Sequence, residues 1–138
     1  MKQIFSVGVA LIVLSVFVLS SLAIGATQSK LLDGKTYVGQ MGEKGKGAEF
    51  QETLVFKEGT FRSKACDPLG FTAGPYGTTT QDGETRFTAV CSSPREGRIF
   101  WKGTVKGDLV EATSTWRKPG QEDRPIVYWV KAKLQKKM

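Results

Sequence analysis

Residues 98–117 read RIFWKGTVKGDLVEATSTWR. Apolar or small residues alternate with polar ones on both sides of Lys106-Gly107, and alternation is the period of a β-strand. Two strands joined by a Gly-containing pair read as a tight hairpin. With Lys106-Gly107 as the loop, Trp101 lies opposite Ala112 and Gly103 opposite Val110 on one face. Lys102 then lies opposite Glu111 on the other face, a favourable cross-strand pair. One more loop residue would set Lys102 against Val110 and mix the two faces.

The same signal occurs twice more, at Glu58-Gly59 and Asp82-Gly83, spaced 24 residues apart along the chain. The turn at Glu58-Gly59 sets Phe56 opposite Phe61 and Leu54 opposite Ser63, with Val55 opposite Arg62 on the other face. The turn at Asp82-Gly83 sets Thr78 opposite Phe87 and Tyr76 opposite Ala89. Outside these hairpins, Lys35–Gln40 reads as a first strand. Pro125–Gln135 reads as a last one, with Ile126, Tyr128, Val130, Ala132 and Leu134 on one face. The strands are therefore 35–40, 50–57, 60–66, 76–81, 84–91, 98–105, 108–117 and 125–135, and no segment of the folded part has helical period. Evenly spaced hairpins make an up-and-down meander, and eight strands close into an antiparallel β-barrel. Three tight turns share one end. The longer connections 41–49, 67–75, 92–97 and 118–124 share the other, open end.

The first 26 residues stand apart from this pattern. Lys2 supplies a positive start, and no charge occurs from Ile4 to Ala26. Small residues follow at Ala23, Gly25 and Ala26. This is the pattern of a cleaved secretory signal peptide, with the cut after Gly25 or Ala26. The alternative is an uncleaved anchor, because 23 uncharged residues are long enough to span a bilayer. Residues 27–138 then form one domain in the periplasm or outside the cell, not membrane-spanning once cleaved. Loss of Lys2 lowers the net charge from +7 to +6.

At this point the chain resembles a calycin-type barrel, the architecture of lipocalins and avidins. The resemblance rests on the meander and on Leu32-Asp33-Gly34-Lys35-Thr36-Tyr37, which is similar to the opening of lipocalin-like first strands. Trp101-Lys102-Gly103-Thr104-Val105-Lys106-Gly107-Asp108 resembles a strand-turn of small secreted bacterial barrels of unassigned function. The resemblance implies a ligand-binding barrel as the expected architecture, and fold alone does not assign an activity.

The expected ligand site is the open end. Tyr76, Trp101, Ser114, Trp116 and Tyr128 face inward there, a mouth of large rings beside small residues that suits a flat apolar or aromatic ligand. The competing reading is that these rings fill the core and leave no cavity. Cys66 and Cys91 also fall at the open end. In an oxidising compartment two cysteines often pair, but an intervening strand separates them, so both a disulfide and two free thiols stand open.

The chain contains no His, which removes the commonest general base and transition-metal ligand. No spacing of Glu43, Glu49, Asp67, Glu96, Glu122 and Asp123 singles out an acid/base pair or a cation site. The expectation is a non-enzyme, with no metal and no cofactor. Arg62, Lys64, Arg86, Arg98 and Lys102 face outward and, with the Lys-rich end, form a basic surface. Its partner outside the cytoplasm would be an envelope protein or an anionic surface, not nucleic acid. Two functions follow: binding of a small apolar ligand at the open end, or a ligandless envelope module docking through open-end loops or the basic outer face.

Overall fold

The computed structural model describes residues 30–136. The signal-peptide reading of residues 1–26 lies outside them. The described chain is a closed barrel of eight antiparallel strands in sequence order. The strands are β1 (Thr36–Glu43), β2 (Phe50–Lys57), β3 (Thr60–Ser63), β4 (Gly74–Gln81), β5 (Glu84–Ser93), β6 (Gly97–Lys106), β7 (Leu109–Arg117) and β8 (Ile126–Leu134). Closure by pairing of β8 with β1 leaves no free sheet edge.

Two of the three turns match the alternation in full. Glu58 and Gly59 both have positive φ, as do Asp82 and Gly83, the geometry of a two-residue hairpin that follows strand twist. Phe56 pairs with Phe61 and Thr78 with Phe87, as expected. The third turn is displaced by one residue. Its loop is Gly107-Asp108, with only Gly107 at positive φ, because glycine is favoured at the first position of the alternative tight turn. The register therefore slips by two. Trp101 pairs with Ser114, Gly103 with Ala112 and Lys102 with Thr113. An even slip keeps every side chain on its face but dissolves the expected Lys102–Glu111 pair.

The chain also departs from expectation after Ser63. Strand β3 has four residues, and Lys64–Leu69 forms a short 3-10 helix, η1, containing Pro68. β3 ends at Ser63 and pairs with β4 only at Thr60–Pro75 and Phe61–Gly74, and Pro68, which has no N–H to donate, keeps the ladder from resuming. The chain then turns inward at the open end, burying Cys66 and Phe71 in the core.

Inside, aromatic rings fill the barrel. Phe56 contacts Tyr37, Phe61, Tyr76 and Phe87 with ring centroids 4.9–6.0 Å apart, and Phe61 contacts Trp101 at 4.9 Å. These edge and tilted geometries add to the area they bury. Gly103 shows how close the fit is. A Cβ there would stand 2.3 Å from Phe87 Cε1 and 3.0 Å from Ala112 Cβ. The interior is mostly apolar, with Glu52 as its buried carboxylate, and the outer wall carries the other strand charges.

Gly103→Ala tests the packing. Phe87 is buried among rings and has no room to yield, so the variant is expected to lose about 1–3 kcal/mol. Urea unfolding followed by tryptophan fluorescence reads this directly; an unchanged midpoint would show slack in the interior.

Candidate functional site

Four of the five inward residues expected at the open end lie on a tilted path, not at one level, and the fifth, Trp116, pairs with Ile99 and Ile126. Ladder partners run from Glu43 to Tyr128, Ser114, Trp101, Ala89 and Tyr76. Glu43 sits at the open end of β1, whereas the Tyr76 N–H donates to the carbonyl of Gly59, in a tight turn of the opposite end. The path thus climbs the whole barrel because closed sheets are staggered. This corrects the placement of Tyr76. Its hydroxyl donates to Asp33 Oδ1 at 2.6 Å and accepts the Leu32 N–H at 3.1 Å. The Asp33 carboxylate also accepts the Gly59 N–H. Burial, and then Asp33, push the Tyr76 hydroxyl pKa upward. Tyr76 is thereby a tie between the opening turn and the barrel floor.

Trp101 is 2% exposed and sits mid-barrel against Phe61, and Ser114 beside it is equally buried. Only Trp116 and Tyr128 are at the open end. The Trp116 Nε1–H donates to the Glu96 carbonyl at 2.6 Å, and its ring meets Phe71 and lies under Lys118 Nζ, 4.3 Å from the centroid. Tyr128 is half-buried and pairs with Glu43; burial, then Glu43 and Glu49, raise its pKa. The five residues do not converge on one cavity.

A different polar group organises the mouth. Glu52 is 1% exposed. Its carboxylate accepts the Ser63 hydroxyl at 2.5 Å, the Ala65 N–H at 3.1 Å and the Thr53 N–H at 2.8 Å. It therefore anchors the first turn of η1 to β2. Burial is the main cause of its raised pKa, opposed by the bonds from Ser63, Ala65 and Thr53. Glu52 alternates with Leu54 and Phe56 on the inward face, so its burial is the signal that composition and motif do not give.

Cys66 and Cys91 are both buried and carry free thiols. Burial pushes each up to about 11. The Cys91 Sγ–H points to the Phe61 carbonyl at 3.6 Å. A protonated, buried thiol is a weak nucleophile, and the Glu52 oxygens are occupied by three donors. The Glu52 bonds hold the mouth closed. Among the described residues no group of His, Cys, Asp or Glu is arranged to hold a metal ion.

The remaining candidate is the outer wall of β5–β8. One rung carries Val90, Phe100, Thr115 and Val127; the next carries Thr88, Lys102, Thr113 and Trp129; the third carries Arg86, Thr104, Glu111 and Lys131. Phe100 is 40% exposed. Trp129 is half-buried, and its Nε1–H donates to the Lys46 carbonyl at 2.9 Å, fixing the indole edge. Gly42 permits this fold of the β1–β2 connection, since a Cβ there would meet the Gly47 carbonyl at 2.2 Å. An open trough of about 640 Å³ runs over β6–β8 past Lys102, Leu109, Thr113, Trp129 and Lys131. The ion pairs among the described residues join Lys46–Glu43, Arg62–Asp67, Lys106–Glu84 and Lys136–Asp108. They leave Arg86, Arg98 and Lys102 without a carboxylate partner, whereas Lys131 faces Glu111 across the β7–β8 ladder.

Comparison of the chain with protein-family models, curated proteins and solved structures gave no match.

Two outcomes test the mouth. Glu52→Gln keeps the shape and removes the charge. Because the folded carboxyl has the higher pKa, the wild type carries no ionisation penalty below its unfolded value, about 4.3. The penalty grows as pH rises through the folded value and is constant above it. The stability of Glu52→Gln relative to wild type is therefore expected to rise with pH in urea titrations; a fall would mean that the ionised group is favoured by the fold. Both thiols are expected to resist iodoacetamide at pH 8 until the barrel unfolds, and then to add two labels by intact mass. No labelling after unfolding without reductant would mean a disulfide.

Proposed function

We propose that this chain is an extracytoplasmic interaction module of calycin-like build, which docks on an anionic component of the cell envelope through the outer wall of β5–β8. The carrying observation is the filled interior combined with a wall on which Arg86, Arg98 and Lys102 lack a carboxylate partner. The rings of Phe56, Phe61, Phe87 and Trp101 occupy the space a ligand would need. Arg86, Arg98, Lys102 and Lys131 lie exposed on neighbouring strands. Unpaired surface charge of one sign steers association with a partner of the other. The leader-like residues 1–26 support secretion and so a partner outside the cytoplasm.

Two atoms favour a second reading, the small-ligand barrel. Tyr37 Oη and Trp101 Nε1 are buried without a hydrogen-bond partner, and such groups commonly mark an occupant or a water. A small acceptor molecule reaching Trp101 would satisfy one of them.

Both readings have direct tests. The mature protein is expected to co-sediment with envelope fragments of its host at low salt and to release at about 0.5 M NaCl, where screening is short-ranged. The double charge reversal Arg86→Glu with Lys102→Glu, at positions that face only threonines across the ladder, is expected to abolish retention while leaving the thermal midpoint unchanged. Retention that ignores salt and charge reversal would overturn docking by this wall. Native mass spectrometry of protein from its host tests the second reading: extra mass that is lost on denaturation and weakened in Trp101→Phe supports an internal ligand.

A further inference from the structure

We infer that the anionic partner is an acidic polysaccharide, bound along β6–β8 with sugar rings against Phe100 and Trp129. This inference rests on the docking reading above and names its ligand class.

Three features of the wall select this chemistry. First, Phe100 and Trp129 present ring surface in mid-strand, held by backbone pairing on both sides. They lie two strands and one rung apart, about 12 Å between Cα atoms by sheet spacing, the span of a disaccharide. The apolar C–H face of a sugar ring packs on such rings. Second, Arg98 and Lys102 flank Phe100 on β6, and Lys131 follows Trp129 on β8 with Glu111 opposite it, so cations outnumber carboxylates beside the two rings. Uronate or sulfate groups on successive sugars would meet them. Third, Thr113 and Thr115 fill the rungs between the two rings and offer hydroxyls to a hydroxyl-rich chain.

The same features disfavour the other polyanions. A single-stranded nucleic acid stacks bases at about 3.4 Å on platforms that adjoin, and here a threonine-bearing strand separates the two rings. A lipid surface is entered by residues at loop tips, whereas these rings stand mid-wall and cannot leave the sheet.

The experiment uses the mature protein with polygalacturonate, neutral dextran, poly-dT and phosphatidylglycerol vesicles, read by Trp fluorescence and by sedimentation. Polygalacturonate is expected to bind, dextran not. Phe100→Ala, an exposed truncation, is expected to weaken polygalacturonate binding at least tenfold with an unchanged thermal midpoint. Lys102→Glu is expected to weaken it and to flatten its salt dependence. Binding that survives Phe100→Ala undiminished would reduce the site to simple charge attraction and overturn the glycan assignment. Tighter binding of poly-dT or of vesicles would overturn it as well while leaving docking through the wall intact. Failure of all three polyanions, with envelope retention still lost on charge reversal, would overturn the glycan and keep the docking reading. Failure of both would remove the docking reading itself.

Discussion

The Phe56 ring holds the barrel together from inside. Four aromatic rings reach it, from β1, β3, β4 and β5, so one side chain links half of the wall. A small eight-stranded barrel has an interior that side chains just fill, and here they do. The close approach at Gly103 follows from that density, since the Phe87 ring occupies the volume in which any Cβ would stand.

Each end is closed by one buried or half-buried carboxylate. At the tight-turn end Asp33 takes bonds from Tyr76 and Gly59, which draws Leu32 into the core at 2% exposure. At the loop end Glu52 takes bonds from Ser63, Ala65 and Thr53, which fixes η1 and buries Cys66. Both carboxylates bind backbone N–H groups that the sheet leaves unpaired, and an orphan buried donor costs about 1–3 kcal/mol. The two ends therefore use the same device, although only Glu52 is fully desolvated. Its charge is the more costly one, which is why its pKa moves upward.

Much of this was legible in the alternation. Eight strands, three tight turns at one end and the inward faces of β2, β5 and β8 follow from period two and from Gly-containing pairs. The stagger was not legible. It depends on pairings between distant strands, and β3 itself breaks at Ser63, where the long-range anchor from Glu52 to Ala65 takes hold. With the stagger unknown, Tyr76 and Tyr128 read as neighbours although they lie at opposite ends of the barrel. The bond from Trp129 to Lys46 spans 83 residues, beyond any local pattern. Glu52 was legible in principle, because its parity matches Leu54 and Phe56. A charged residue on an apolar face is the kind of local conflict that marks a structural anchor or a site.

The displaced third turn decides the electrostatics of the outer wall. Had Lys106-Gly107 formed the loop, Lys102 would face Glu111 and the centre of the wall would be neutralised. Glycine at the first loop position moves the pairing by two residues. Lys102 then stands opposite Thr113, and Glu111 stands between Thr104 and Lys131. An even slip leaves the core untouched, because parity is preserved, yet it redistributes every outward contact between β6 and β7. Core packing tolerates either register by face, so the turn residue chooses between them. A single glycine thus frees Lys102 from Glu111 and sets an exposed cation beside Phe100 and Trp129.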